Sequence, residues 1–457
     1  MNATKVDFLG PAYRRRFIAL MLPVSILNFA DRAVFSALAQ TIKADMGLSD
    51  LQLGLLQGLV FALLYAAVGL PIGRLAERVS RTHIISVAAT VWSLATAATG
   101  VAASFAQLVA ARLLVGMGEA GFTPASASMI GDVTPRHRRS SMMALIMLGS
   151  PIGAFAGSLL AGQIAHAYGW RWAFYVFGAL GVIAAAMLAA FLPEPPRGLA
   201  DEDASAATQA PPLAEFLRTL AANRTLLWVI AGGSIAGFGM TSISQFLAVF
   251  LARTHHLDVR AAAAAFGSIS GLALTIGLLI GSFGTDHLLR RDPRWPAWGA
   301  AAGLSLAPVI YFFAFRATSL NTAIVLLVAA GACMLVFYGP TSGMIQNLLP
   351  ARMRASGAAL YLMLYTVLGS GLGPVFVGGL SDRAGAAHYG PRYARDCPHG
   401  LPAPDAAPDI ARACSEASAS GMQTALSLAV LVLFVAALCF VTAAPGLRRR
   451  GEIFRPR

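Results

Sequence analysis

Three charged side chains lie inside hydrophobic segments of this sequence. Asp31 and Arg32 interrupt the first apolar segment, and Glu119 interrupts the fourth. A charge at the centre of a membrane helix costs about 2.5 to 3.5 kcal/mol, so such a residue usually faces a cavity or a charged partner. We therefore predict that Asp31, Arg32 and Glu119 form a site that binds a charged group or a proton.

Arg112 precedes Glu119 by seven residues, which corresponds to about 700° of helix rotation, so both side chains share one helix face. Two interpretations of Arg112 stay open. It is either an alternative partner for Glu119 or Asp31 in another state of the protein, or a fixed structural partner of Asp31. We expect protonation of Glu119 to release Arg32 for an anionic headgroup, or substrate and proton to compete for the site.

The elements that must position these charges are membrane helices. The chain has 457 residues, of which 57% are hydrophobic and 12% charged. Its mean hydropathy is +0.67. This composition excludes an ordinary soluble domain. Twelve segments reach the length of about 20 apolar residues that a span needs, so we predict an all-α membrane protein with twelve transmembrane helices.

The formal net charge of +13 comes from arginines that fall mostly in alternate loops and in both tails. This pattern sets the orientation of membrane helices, and it argues against a nucleic-acid-binding surface. We expect an integral protein of a bacterial inner membrane, with both termini in the cytoplasm.

The two halves of the chain repeat each other. Gly73 and Gly284 open corresponding loops 211 residues apart, and a Pro, Arg, Arg, Ser motif that begins at Pro135 recurs from Pro350 at offsets of 215 or 216. Gly162 and Gly169 likewise match Gly379 and Gly385. Such offsets indicate two parallel repeats. We predict two pseudo-symmetric six-helix bundles with a substrate site between them.

The predicted domains are an N-terminal bundle over 1–193, a cytoplasmic linker over 194–223, a C-terminal bundle over 224–445 and a basic tail over 446–457. Within the linker, apolar residues recur at helical spacing from Leu213 to Leu220. They predict a short amphipathic helix, which either lies on the inner membrane surface or packs on a domain.

The loop that begins at Gly73 reads G-R-L-A-E-R-V-S-R. It resembles the G-x-L-a-D-r-x-G-R signature between helices 2 and 3 of the major facilitator superfamily, with Glu77 in place of its Asp and Ser80 in place of its second Gly. The resemblance implies a cytoplasmic gate made of Gly73, Glu77, Arg78 and Arg81. The alternative is that these charges only set topology.

Gly149, Pro151 and Gly153 in the fifth helix resemble the antiporter motif of the same superfamily. Glycines at this spacing permit close helix approach, and a proline loosens the backbone hydrogen bonds where a helix bends. Packing alone would also explain these residues.

The whole chain resembles one branch of the superfamily, the spinster-like transporters. The resemblance rests on Asn28-Phe29-x-Asp31-Arg32, Arg112 with Gly116-x-Gly118-Glu119-Ala120, Glu194-Pro195-Pro196-Arg197-Gly198, and Leu380-Ser381-Asp382-Arg383. In that branch a helix 1 arginine and a helix 4 glutamate are central to transport, which implies these roles for Arg32 and Glu119. Lysophospholipids and sphingosine phosphate are the implied substrates.

The second half has no Asp, Glu, Lys or Arg that we place well inside helices 7 to 12. Its candidate cavity residues are neutral, and each is either packing or ligand-binding: Phe238, Thr241, Ser242, Gln245, Tyr338, Tyr361 and Tyr365. A charged pocket in one half and an aromatic wall in the other suit an amphipathic molecule with an anionic or zwitterionic head.

Two of the four cysteines, Cys397 and Cys414, lie in one long outward loop predicted over 381–421. We expect a disulfide or free thiols there, because metal binding with His388 and His399 has no recognisable ligand spacing. We expect no cofactor.

We conclude from the sequence that this is a monomeric secondary transporter that works by alternating access. Its expected substrate is an amphipathic lipid or organic anion, with protons as the coupling ion and membrane lipids as partners. A proton-coupled carrier of small organic acids and a transporter-like receptor without flux remain as alternatives. No phosphate-binding loop and no catalytic residue grouping is present in the sequence, so we expect neither a pump nor an enzyme.

Overall fold

The computed structural model describes residues 7–76, 78–135, 139–197, 199, 213–289, 291–350, 353–403 and 406–453. Every regular element within these ranges is helical, and twelve helices are long and apolar enough to cross a membrane. These are α1 Pro11–Met46, α2 Asp50–Leu75, α3 Arg81–Val101, α4 Phe105–Val133, α5 Ser141–Tyr168, α6 Trp170–Phe191, α7 Arg224–Thr254, α8 Val259–Gly284, α9 Trp295–Arg316, α10 Leu320–Leu348, α11 Ser356–Tyr389 and α12 Pro408–Arg448. The predicted fold class is confirmed.

Local sequence sets where several of these helices begin. The Ser49 hydroxyl accepts a hydrogen bond from the backbone N–H of Gln52, whose side chain accepts in return from the Ser49 N–H. This capping box starts α2 directly after a tight turn at Gly47. Asn223 caps α7 in the same way, by accepting from the N–H of Leu226.

The loop between the last two helices is shorter than predicted. Helix α11 continues past residue 380 to Tyr389, and α12 begins at Pro408 instead of near residue 421. Hydropathy reveals only the apolar part of a helix, whereas the alanine-rich and serine-rich turns at these ends stay helical without being apolar.

Three of the long helices contain a short π-helical segment. These segments are Gly153–Gly157 in α5, Ile280–Gly284 in α8 and Tyr365–Leu372 in α11. A π-helical segment holds one extra residue in a turn and is often found at functional sites.

Contacts between Cα atoms divide the chain into two compact units. The first contains Met1–Thr41, Val60–Ala207 and Val259–Gly267, and the second contains Ile42–Leu59, Thr208–Asp258 and Ser268–Arg457. The C-terminal end of α1 and the first turns of α2 therefore belong to the second unit.

The linker contains a helix over Leu213–Ala222. Its Phe216 side chain is buried at 5% exposure, while Leu217 is 48% exposed. One side of this helix is thus packed within the second unit, and the neighbouring side leaves an apolar side chain accessible.

Cys397 and Cys414 form a disulfide with a Cα–Cα distance of 5.5 Å. The bond joins the segment after α11 to the beginning of α12, and the two cysteines are 17 residues apart in sequence. Both cysteines are fully buried.

Removing this disulfide should lower the stability of the protein. In the chain-entropy description, a loop of this length contributes about 3 kcal/mol by restricting the unfolded chain. We expect the double variant Cys397→Ser with Cys414→Ser to melt at a lower temperature than the wild type in detergent. Cys333→Ser is the control, because Cys333 is a free cysteine in α10. Equal melting temperatures for the double variant and the wild type would contradict the prediction.

Candidate substrate and proton site

Arg32 of α1 and Glu119 of α4 form a close ion pair. The Arg32 Nε donates to the Glu119 Oε2 over 2.6 Å. The Glu119 side chain is fully buried, whereas the Arg32 side chain is 32% exposed. The structure therefore brings together the two charges that the sequence singled out, and it leaves the arginine accessible from one side.

Aromatic rings of α2 complete the surroundings of Arg32. Its guanidinium carbon lies 4.6 Å from the ring centre of Phe61 and 5.2 Å from that of Tyr65. Phe61 approaches α4 closely because Gly116 has no side chain, and a Cβ there would collide with the Phe61 carbonyl. Ring faces attract the cation and hold it in place without neutralising its charge.

Asp31 and Arg112 lie near this pair, and Arg112 shares the ring of Phe61 with Arg32. The Asp31 Oδ2 accepts a hydrogen bond from the Thr96 hydroxyl of α3 over 2.8 Å. The Arg112 guanidinium carbon lies 4.6 Å from the ring centre of Phe35. Both side chains are buried. Glu119, rather than Asp31, holds Arg32 in this structure.

One oxygen of Glu119 is not satisfied within the described residues. Its Oε1 and the Asn28 Nδ2 are both buried without a hydrogen bond of normal geometry, although these two side chains lie close enough to interact with each other. A buried polar atom with no partner costs about 1 to 3 kcal/mol. The Asn28 amide or a donor group of a ligand would satisfy this oxygen, whereas a proton on the carboxyl group would remove the negative charge.

The predicted cytoplasmic gate residues fall in different environments. Arg81 is buried, Arg78 is exposed, and Gly73 lies near Pro124. Glu77 lies outside the described residues. Arg78 and Arg81 thus lie in different surroundings, and the gate made of the four residues stays a prediction.

Arg81 instead anchors the start of α3 within the first unit. Its Nη1 pairs with Asp132 at the end of α4, and its Nε donates to the Glu194 Oε1 over 2.8 Å. Its Nη2 also donates to the Pro195 carbonyl over 2.8 Å. Burial raises the pKa of Glu194, but the Thr82 backbone N–H and the Arg81 guanidinium outweigh it and hold that pKa below its usual range.

Gly149 and Gly153 lie where α5 crosses α1. A Cβ at Gly149 would collide with Ser25, and one at Gly153 with the Ile26 carbonyl. Pro151 lies between them, two residues before the π-helical segment. The close approach gives these residues a packing role, whatever their part in transport.

The neutral candidates of the second half form two groups. Tyr365 lies between two other tyrosines, with ring centres 6.2 Å from Tyr338 and 5.9 Å from Tyr361. The hydroxyl of Tyr361 is buried without a hydrogen-bond partner in the described structure. These three rings form one aromatic group in the second unit.

The remaining candidates lie along α7. The Thr241 hydroxyl donates to the Gly369 carbonyl of α11 over 2.6 Å, and the tilted rings of Phe238 and Phe376 have centres 5.6 Å apart. Ser242 is buried next to Gly373, and Gln245 lies one turn further along α7. Thr241 and Ser242 thus sit at a helix crossing.

Sequence reasoning missed a buried charged cluster in the second unit. Asp50, the first residue of α2, accepts from the Lys43 Nζ over 2.6 Å and from both terminal nitrogens of Arg253 over 2.7 and 2.6 Å. The side chains of Lys43, Asp50 and Arg253 are only 0%, 3% and 5% exposed. The Ser381 hydroxyl also donates to Asp50 over 2.7 Å.

Asp382 of α11 completes this cluster. Its carboxylate accepts from the backbone N–H groups of Asp50 and Leu51 over 3.0 and 2.9 Å. An acid at a helix N-terminus accepts hydrogen bonds from the free N–H groups there and interacts favourably with the helix dipole. The available sequence signal was the Leu380-Ser381-Asp382-Arg383 motif, which the resemblance identified without giving it a partner.

Comparison with known proteins agrees with this architecture. The model of the Major Facilitator Superfamily matches residues 21–374. An MFS-type efflux pump of Mycolicibacterium smegmatis is 30% identical over 84% of this chain and 88% of its own length. Protein spinster homolog 3 of Danio rerio is 27% identical over 81% of this chain and 77% of its own length.

A sphingosine-1-phosphate transporter of Xenopus tropicalis is 25% identical over 78% of this chain and 72% of its own length. Among solved structures, a bacterial homolog of the human lysosomal transporter Spinster, in an inward-facing and unoccupied conformation, superposes with a TM-score of 0.84. It is 28% identical and covers 96% of this chain and 98% of its own. The chain is an integral membrane transporter that belongs to the spinster-like branch of the major facilitator superfamily.

Proposed function

We propose that this protein moves an amphipathic lipid with an anionic head, of the lysophospholipid or sphingoid-phosphate kind, by alternating access coupled to protons. The observation that carries the proposal is the buried Glu119 paired with the partly exposed Arg32. A cation that is paired with an acid in a membrane helix can bind an anionic headgroup only when that ion pair breaks.

The pair works as an exchange site. With Glu119 ionised, its Oε2 neutralises Arg32 and no further anion is needed. When Glu119 takes up a proton, Arg32 keeps its charge and binds the phosphate or carboxylate of the substrate in place of Glu119. Phe61 and Tyr65 keep the guanidinium in position during the exchange.

Several observations support a lipid over a purely polar substrate. The Xenopus tropicalis relative is a sphingosine-1-phosphate transporter. In the second unit, the group of Tyr338, Tyr361 and Tyr365 offers aromatic surface of the kind that binds apolar chains. The efflux pump of Mycolicibacterium smegmatis supports export as the direction.

Transport of a small organic acid is the second candidate, and the same Arg32 favours it because an arginine binds any carboxylate. Competition experiments separate the two. Competition by short aromatic acids but not by lysolipids would favour the second candidate, and competition by lysolipids but not by these acids would favour the first. We further propose a monomer in a bacterial inner membrane with both termini in the cytoplasm, as the arginine-rich loops indicate.

The proposal is tested by reconstitution in liposomes. Labelled lysophospholipid, a sphingoid phosphate and small organic acids are each offered with and without a pH gradient. We expect flux of the amphipathic anions, increased by the gradient. Binding of these lipids without any flux would instead indicate a receptor.

Arg32→Gln should lower this flux by about tenfold or more, the loss expected for one charge-assisted pair with the headgroup. Arg316→Gln is a matched control, since Arg316 also lies over an aromatic ring but is exposed at the end of α9. Equal flux in Arg32→Gln and the control would overturn the role of Arg32.

A further inference from the structure

In the first unit, the side chain of Arg81 fills the space between the start of α3 and the end of α4. The Arg81 side chain occupies the space at the start of α3, bonded to Asp132 at the end of α4 and to Glu194 after α6. The Arg81 side chain is only 1% exposed. One guanidinium therefore fills this position and pairs with two acids.

The internal repeat gives the counterpart of this position in the second unit. Asp132 corresponds to Asn347 at an offset of 215 residues, the same offset that relates Pro135 to Pro350. The acid is thus replaced by a neutral amide. Near the start of α9, Arg294 lies over the ring of Trp298, with 5.1 Å between its guanidinium carbon and the ring centre.

The counterpart position is an open cavity of about 550 Å³. This volume lies within the range of about 300 to 1,000 Å³ that small-molecule sites occupy. The described side chains that line it include Leu289, Pro296, Met344, Asn347, Arg354 and Leu447. The π-helical segment of α8 contributes Gly281 and Ser282 to its wall.

The lining of the cavity has a polar side and an apolar side. Arg354 is exposed at the start of α11, and its Nε makes only a long hydrogen bond of 3.4 Å to the Leu349 carbonyl. Met344 and Leu348 on α10 are buried, and Leu447 on α12 also lines the cavity. Among the described lining residues, the cation of Arg354 next to apolar side chains is complementary to an anionic amphiphile.

We propose that this cavity binds one anionic amphiphile, with its phosphate paired to Arg354 and its hydrocarbon chain against Leu289, Met344 and Leu447. The site lies entirely in the second unit and is separate from Arg32 and Glu119. A diacyl phospholipid of the membrane and a single-chain phospholipid both have this chemistry. The experiment distinguishes these two sources.

The test uses the purified full chain in a neutral detergent, with phosphatidylglycerol and lysophosphatidylglycerol as separate probes and thermal stabilisation as the readout. Gly343→Leu places a side chain in the cavity, because nothing lies within 4 Å of a Cβ at Gly343. Arg354→Gln removes the charge and leaves the cavity open. We expect each variant to raise the half-saturating concentration of the bound probe about tenfold, as for loss of one charge-assisted pair.

The controls match the two changes. Gly69→Leu adds the same side chain at another glycine with open surroundings, and Arg412→Gln removes an exposed arginine near the start of α12. Melting without lipid checks folding, and if Gly343→Leu does not fold, Arg354→Gln carries the test. A loss of the phosphatidylglycerol effect supports membrane lipid as the source, and a loss of only the lysophosphatidylglycerol effect supports a single-chain source. Equal stabilisation of variants and controls, or none in the wild type, would overturn the proposal.

Discussion

Glu119→Gln is expected to remove the pH dependence of substrate binding and of flux. A glutamine keeps the size of the side chain but is neutral at every pH, so it resembles the protonated glutamate and no longer competes for Arg32. Coupling between a proton and a substrate is reciprocal, so each changes the affinity for the other by the same factor. Removing the titrating group therefore removes both effects together.

The experiment measures substrate affinity at two pH values on either side of neutrality, and flux with and without a pH gradient. In the wild type we expect affinity to rise at the lower pH, because protonation of Glu119 frees Arg32. The expected ratio is about tenfold, within the 5-fold to 150-fold range of typical coupling. In Glu119→Gln the two affinities should be equal, and the gradient should no longer increase flux.

Glu416→Gln serves as the control, because Glu416 is exposed on α12 and far from the site in sequence. It should behave as the wild type in both measurements. Unchanged pH-driven flux in Glu119→Gln would remove Glu119 from the mechanism, and Asp31 would then be the next acid to replace, since it is also buried.

Asp50→Asn is expected to give the largest loss of stability of any single change considered. Asp50 accepts hydrogen bonds from Lys43, Arg253 and Ser381. Together with Asp382 it balances the charge of the two cations. The asparagine leaves Lys43 and Arg253 buried with one shared acid fewer. Breaking a buried charge pair by removing one partner costs about 3 to 5 kcal/mol.

A second change tests the electrostatic cause. Asp50→Asn leaves Asp382 as the acid for two cations, and adding Lys43→Met removes the one surplus cation while keeping an apolar chain of similar length. The double variant should therefore melt at a higher temperature than Asp50→Asn alone, although Lys43→Met by itself leaves an unbalanced acid and should destabilise. Asp409→Asn, at an exposed position on α12, is the control. A double variant no more stable than Asp50→Asn would show that charge balance is not the cause.

The sequence was sufficient for much of the architecture and for part of the site. Charges inside apolar segments are rare enough that the positions of Arg32 and Glu119 in such segments identified them, and the helix count followed from hydropathy. The Thr96 partner of Asp31 gave no signal, because a threonine in a membrane helix is common and its hydroxyl usually bonds its own helix.

The cluster around Asp50 was missed for a different reason. Lys43 and Arg253 are near helix ends, where charges are expected in any case to set topology. Asp50 and Arg253 are 203 residues apart, and no local pattern connects them. Only the folded chain shows that these end charges are buried and paired.

The π-helical segments affect how the sequences of α5 and α11 correspond in the two repeats. Gly153 in α5 and Gly369 in α11 are 216 residues apart and both lie inside such a segment. Each is also at a helix crossing, Gly153 against α1 and Gly369 against α7. One extra residue in a turn rotates everything beyond it by about 100° relative to an unbroken α-helix. A helical wheel drawn through either helix therefore assigns residues after the segment to the wrong face, yet the offset between these two helices stays within 215 to 217 residues because both helices contain such an irregularity.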